Sequence, residues 1–331
     1  MRLLAAAILF SVATTLPAQN KIEKFTLPNG TLIPGWTSQS GGWKILNQQL
    51  VYTGGSTWGY MTNNALTGIK DSVVDIEVIY PTSGSKTCFG GTCQRHPGTA
   101  TGQNFIMTKL QDNGGSGGFN TAWLYERPGS ATAVTGTAFG AATKHGVLRT
   151  FIKGGQAWFE LDRDMDGIMD LTSPVRTLAA TINAMGTVGI SAYQDIIMDN
   201  WKFFEGSLVA DTTTKPAIGT TYKMIFEAPL HGGSTPRPTP YIGMLSGGNK
   251  GIPLGNGVSV PVTFDALLVN SLSFGWSGVL TQANPTGTIA LPIPNNKSLV
   301  GLKLFAACIT LGSGRPGGWG FVSNDHGFQV Q

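Results

Sequence analysis

Residues 71–80 read DSVVDIEVIY, and the order of apolar and acidic side chains in this stretch decides the fold class. Val74, Ile76 and Val78 fall on one side of an extended chain, and Asp75 and Glu77 on the other. A period of two belongs to a strand with one buried and one solvated face, because successive side chains of extended backbone point in opposite directions. Similar short runs recur in WKILNQQLVYT, QNFIMTKL, TAWLYER, VLRTFIK, QAWFEL, TVGISAY and IIMDNWKFFEG. Each is rich in β-branched or aromatic residues and bounded by Gly, Asn, Asp or Pro, the punctuation of strands. No stretch offers a long amphipathic helix, and Ala179 to Met185 allows one helical turn at most. The expected class is all-β.

Composition agrees. The chain has 331 residues, 46 of them Gly, with only 12% charged side chains, which suits a turn-rich β protein. Its length exceeds the usual size of one domain, so two are expected. Hydrophobic content of 41% with a net charge of +4 excludes disorder, and no Lys/Arg-rich run or nucleic-acid motif is present.

The first 18 residues, MRLLAAAILFSVATTLPA, combine a basic start, an apolar stretch too short to span a bilayer and a small-residue end. They read as a signal peptide, so the mature chain is expected to be secreted, extracellular or at the cell surface, without membrane insertion. In that oxidising setting Cys88 and Cys93, which bracket Phe-Gly-Gly-Thr, are expected to form a disulfide. Cys308, in the apolar run LKLFAACITL, reads as a buried free thiol. His96, His145, His231 and His326 are too isolated for a zinc site.

Residues 207–221, polar and Thr-rich, read as a linker. Strand patterns resume in YKMIFEAPL, VPVTFDALLVN, GTIALPI, SLVGLKLFAACITL and HGFQVQ, so residues 222–331 are expected to form a smaller β-sandwich.

Two stretches carry a resemblance. PGWTSQSGGWKILNQQLVYTGGS (34–56) is similar to the opening of secreted concanavalin-A-like (laminin-G-like) jelly-roll modules, and VGISAYQDIIMDNWKFFEG (188–206) to their closing strand pair. Together they frame residues 22–206. The resemblance implies a two-sheet jelly roll, and a function only loosely, since lectins, glycan-binding modules, some glycosidases and adhesion proteins share that fold. PLGNGVSVPVTFDALLVNS and SLVGLKLFAA resemble a C-terminal module of exported planctomycete-like bacterial proteins, which implies architecture and export alone.

Three groups of residues point to chemistry. In DRDMDGIMD (162–170), Asp162, Asp164 and Asp166 alternate, Gly167 permits a sharp turn, and Asp170 stands as a further ligand. Alternating carboxylates supply the hard oxygens that calcium takes, and few bases lie nearby in sequence to offset their repulsion. Ser173 in place of a twelfth-position glutamate and strand-like flanks exclude an EF-hand, leaving a β-hairpin loop with a structural calcium ion. An acidic exposed turn around Asp-Gly is the alternative. Carboxylates for glycoside hydrolysis are sparse: jelly-roll glycosidases carry Glu-x-Asp-x-Glu on one strand, and here Val73 replaces the first acid. Asp75, Glu77 and Glu160 remain as weak catalytic candidates. Sugar recognition asks for aromatic platforms flanked by polar groups. Trp58, Tyr60, Trp123, Tyr125 and Trp158 are candidates, with Arg127 and Asn104 as polar neighbours; burial in the sandwich core is the competing role for each. Trp43, Phe151 and Trp201 are assigned to the core.

The sequence therefore leads to an exported, non-catalytic protein that binds carbohydrate or matrix, with a polysaccharide or cell-surface glycan as partner. The alternatives are a glycoside hydrolase and a structural spacer without a ligand.

Overall fold

The Ser72–Ile79 strand lies inside a sheet, paired antiparallel with His145–Lys153 on one side and Ile197–Phe204 on the other. The computed structural model describes residues 20–81, 87–98, 104–127, 132–182, 185–230, 236–255, 258–312 and 319–331, so the expected signal peptide lies outside the described residues. Among them this first sheet has nine strands, running outward from Ser72–Ile79 through Gln156–Asp162 to Leu171–Thr172 at one end and to Trp43–Leu46 at the other. A second sheet has seven, in the order Thr132–Thr143, Phe119–Arg127, Phe105–Gln111, Phe89–His96, Thr187–Tyr193, Trp58–Asn63, Trp36–Ser40. Every pairing in both sheets is antiparallel, as alternating strands joined by turns require.

The inner faces close on one core. Val74, Ile76, Val78, Leu148, Phe159 and Trp201 come from the nine-stranded sheet, and Ile106, Leu110, Leu124 and Ile190 from the seven-stranded one. This is a jelly-roll sandwich. Trp201 is fully buried, edge-on to Trp36 at 4.9 Å between ring centroids. Thr92, Thr108 and Thr150 carry hydroxyls into this core and satisfy one another in a hydrogen-bonded chain between the sheets. Phe151 is buried, but on the outer face of the nine-stranded sheet with Val73 and Phe204.

A second sandwich follows. Ser207–Ala210, Thr221–Glu227 and Thr286–Pro292 form a three-stranded sheet. Ser277–Leu280, Thr239–Ser246, Lys303–Leu311, Trp319–Val322 and His326–Gln329 form a five-stranded one. Met224, Phe226, Leu245, Ile289, Ala306 and the free Cys308 fill the space between them. Ser207–Ala210, expected within the linker, is a strand because Leu208 is buried in this core and the segment pairs with Thr221–Glu227. VPVTFDALLVN, expected to be a strand, turns into a short helix at Ala266–Ser271. Asp265 caps it by accepting the Leu268 N–H at 2.8 Å. No helix among the described residues is long and apolar enough to cross a membrane.

The expected Cys88–Cys93 disulfide is not formed. Both thiols are free and buried, because Phe-Gly-Gly-Thr is the start of the Phe89–His96 strand and not a loop. Five residues of strand, at about 3.3 Å each, separate the two by far more than a disulfide reaches. Their odd spacing also sends them to opposite faces, Cys88 into the sandwich core and Cys93 into a cluster on the outer face. Alkylation of the denatured, unreduced protein should therefore modify Cys88, Cys93 and Cys308 alike. An intact mass that rises by two hydrogens on reduction would contradict this.

Candidate functional site

Register on the nine-stranded sheet assembles its outer face row by row. Asp75 and Glu160 flank Arg149, while Glu77 and Asp162 flank Val147. The three catalytic candidates and the first loop aspartate thus share one face, and all but Glu160 are held by hydrogen bonds. Arg149 donates to both oxygens of Asp75 at 2.8 Å, and also to the backbone and side-chain oxygens of Asp325 from the second sandwich. Arg149, Asp75 and Asp325 are all buried. The guanidinium and Lys202 overcome the effect of burial and hold the Asp325 carboxyl low. Glu77 accepts from His145 and Asn200. Glu160 has no such donor: burial pushes its carboxyl up to about 7, against the pull of Arg149 and with the help of Asp75 and Asp325. His326, bonded to the Tyr222 hydroxyl at 2.7 Å, is pushed down to about 4 by burial and by Arg149. The acidic face of Ser72–Ile79, expected to be solvated, is covered because the second sandwich sits over it.

The Asp162–Asp170 loop lies at the same junction. Asp162, Asp164 and Asp166 each bring one carboxylate oxygen within 4.8 Å of the others, the spacing of a cation cradle. Gly167 takes φ +85° at the turn. Asp162 is buried and accepts the Met165 and Gly167 N–H groups at 2.8 Å; burial raises its carboxyl in spite of them. Lys303 of the second sandwich donates to Asp166, and with the Ile168 N–H outweighs burial and holds that carboxyl low. Asp170 turns away to accept the Arg163 N–H at 2.6 Å and is not part of the cluster. Ser173 is structural, its hydroxyl accepting the Phe159 N–H. The loop is a hairpin connection as expected, but it is docked on the second sandwich instead of projecting into solvent. A polar cleft of about 280 Å³ runs between the two, lined by Glu77, Asp166, Lys202 and Asn249 among others.

The outer face of the seven-stranded sheet has another character. Phe119–Arg127 presents Trp123, Tyr125 and Arg127 there, opposite Lys109, Met107 and Phe105 respectively. Across the sheet Tyr193 pairs with both Phe89 and Trp58, and Tyr60 lies two residues along. A bulge at Arg95, where φ is +54°, brings His96 to the same side, its ring 4.7 Å from Phe105 and 5.6 Å from Tyr60. Tyr60, Phe89, Phe105 and Met107 are buried, and Trp58, Trp123, Tyr125 and Tyr193 form the partly exposed layer. Gly136, opposite Trp123, has no Cβ, and the six-membered part of the indole lies where one would be. Arg127 donates to the Tyr60 hydroxyl and stands 5.2 Å from the Trp58 ring.

Five of the candidate ligand-binding residues, Trp58, Tyr60, Trp123, Tyr125 and Arg127, thus meet on this face. Asn104 borders it, exposed at the start of its strand, its N–H donating to the Arg127 carbonyl. Trp158 does not join them. It is stacked on Phe151 at 4.6 Å on the other sheet, at the seam with the second sandwich. Lys109, Phe89, Phe105, His96 and Tyr193 are members that the sequence pattern did not single out. Phe105, Met107 and Lys109 were visible at alternate positions of QNFIMTKL.

No family model matches the chain, and no curated protein matches it. Among solved structures, similarity extends to the exoplasmic/lumenal domain of VIP36 in a Ca2+/Man3GlcNAc-bound form, at 13% identity over 56% of this chain and 87% of that one, TM-score 0.40. Arcelin-5, a lectin-like defense protein from Phaseolus vulgaris, matches at 11% identity over 56% and 98%, TM-score 0.39. Lectin UEA-II complexed with galactose matches at 11% over the same shares, TM-score 0.41. Scores of this size do not bear on function.

Two outcomes follow from the junction. Arg149→Met strands two buried carboxylates and should cost about 3–5 kcal/mol in urea unfolding; a loss under about 1 kcal/mol would mean that water reaches the pair. Glu160 and His326 should titrate in opposite senses. The Glu160 carboxyl, near 7 when folded and 4.5 when free, contributes stability below pH 4.5 that is lost as pH rises through 7. His326, near 4 when folded and 6.5 when free, contributes stability above pH 6.5 that is lost as pH falls through 4. Relative to wild type, stability of Glu160→Gln should climb from pH 4.5 to 7, and that of His326→Gln should fall from pH 4 to 6.5. Parallel profiles for both variants and wild type would contradict the assignment.

Proposed function

We propose that this is an exported, non-catalytic protein that binds carbohydrate on the outer face of its seven-stranded sheet. The observation that carries the reading is the convergence of Trp58, Tyr60, Trp123, Tyr125 and Arg127, from two separate strands, onto one sheet face. Rings with polar tips and a guanidinium among them are the equipment for stacking on pyranose faces and bonding hydroxyls. A non-catalytic role is supported by the engagement of Asp75 by Arg149 and of Glu77 by His145 and Asn200, and by the burial of Glu160 beneath the second sandwich. Export is supported by the N-terminal residues. On a glycan array, Trp58→Ala and Tyr125→Ala should each weaken the wild-type signal at least tenfold, as loss of a central aromatic contact does, with melting shifts of a few degrees. Undiminished binding by both variants would remove this face from the reading.

Calcium belongs to the same proposal. Asp162, Asp164 and Asp166 would hold it, and the ion would supply positive charge that joins the hairpin to the junction with the second sandwich. Three carboxylates within 4.8 Å fit a hard cation, while Lys303 already supplies part of that charge to Asp166. Calcium should raise the melting temperature in proportion to the logarithm of its excess, and Asp164→Ala should abolish the rise. Identical melting in calcium and in chelator would retire the site.

A further inference from the structure

We infer that the saccharide bound on this face is anionic, its carboxylate or sulfate seated between Lys109 and Arg127; the inference rests on the face being the carbohydrate site. Lys109 is only 3% exposed, yet no carboxylate partners it among the described residues. Its ammonium is surrounded by rings: 4.2 Å from the Phe89 centroid, 4.5 Å from Tyr125 and 5.4 Å from Trp58. Cation–π contacts offset part of the cost of taking an ammonium out of water, not all of it. Arg127 adds a second cation, with the Trp58, Tyr60 and Phe105 rings within 5.7 Å. The neighbouring Glu126 does not neutralise either one; it accepts the Ala179 N–H instead.

The unpaired hydrogen-bonding atoms of the cluster point the same way. Trp123 Nε1, Arg127 Nε and His96 Nε2 are buried without a partner among the described residues. His96 Nδ1 accepts the Gly98 N–H, which assigns the ring proton to Nε2. All three are therefore donors, and the Lys109 ammonium is a fourth. Neutral sugar hydroxyls donate as readily as they accept. A carboxylate or sulfate only accepts, carries the missing charge, and makes the stronger charge-assisted bonds.

Lys109 also makes binding sensitive to pH. Burial pushes its ammonium down to about 8. The groups facing it are Arg127, Tyr60, Tyr125, Tyr193, Cys93 and His96. Burial raises Tyr60, Tyr125 and Cys93, and burial together with Arg127 takes His96 down to about 4. An anion should be held below pH 8, where Lys109 is charged, and released as pH rises above it.

The test is calorimetric titration of the whole protein at pH 7 and pH 9.5 with three probes of equal length: an oligouronate, a sulfated oligosaccharide and a neutral oligoglucoside. One anionic probe should bind at least tenfold tighter than the neutral one, and which one does so identifies the group. Its affinity should fall at least tenfold at pH 9.5, in Lys109→Met and in Arg127→Gln. Unliganded Lys109→Met should melt above wild type, because a buried uncompensated charge is gone; a lower melting temperature counts against the inference. Equal affinity for all three probes, or anionic binding indifferent to both variants, overturns the anionic inference and leaves the carbohydrate site standing. Binding of no probe overturns both. Where Lys109→Met is obtained in too small an amount to titrate, Arg127→Gln and the pH series decide the question by the same criteria.

Discussion

Arg149 ties the two sandwiches together. Its guanidinium holds Asp75 of the first and Asp325 of the second with no solvent between them. A buried ion triad of this kind adds little net stability over an apolar replacement, but it tolerates no missing partner. It therefore fixes where the second sandwich sits. Once that face of the nine-stranded sheet is closed, Glu160 and His326 are enclosed beside it, and the Asp162–Asp170 loop is brought against Lys303. The outer face of the seven-stranded sheet takes no part in this junction. There the side chains are aromatic, and the charge, from Lys109 and Arg127, has no partner of opposite sign among the described residues.

The two faces show opposite solutions to burying charge. Around Arg149, the guanidinium meets Asp75 and Asp325, so its charge is matched within the protein. Around Lys109, rings take the place of carboxylates and donors are left over. Sites that bind ligands commonly retain such unmet demands, because a group already satisfied has nothing to exchange for a contact with ligand.

Much of this was legible in the sequence. The period-two pattern of DSVVDIEVIY and its neighbours set the class, and the aromatics of STWGYMTNN and TAWLYER marked a face. Three things were not legible. Strand pairing joins segments distant in the chain, so no local pattern showed that Lys109 stands opposite Trp123 or that His96 reaches Tyr60 through a bulge. Burial of Asp75 and Glu77 depends on the second sandwich, whereas alternation within one strand reports only which residues share a side. Gly-Gly between Cys88 and Cys93 looked like a turn; the pairing of Gly90 and Gly91 with strands on both sides keeps it extended. Trp158 was misplaced for the same reason, since QAWFEL carries no sign of which sheet it joins.

The central claim is that ligand occupies the outer face of the seven-stranded sheet and leaves the junction face untouched. Hydroxyl-radical footprinting of the whole protein, with and without a saturating polysaccharide, tests it directly. Ligand should protect Trp58, Trp123 and Tyr125 and leave Trp158 and His145 unchanged. Protection of Trp158 or His145 with no change at Trp58, Trp123 and Tyr125 would contradict it.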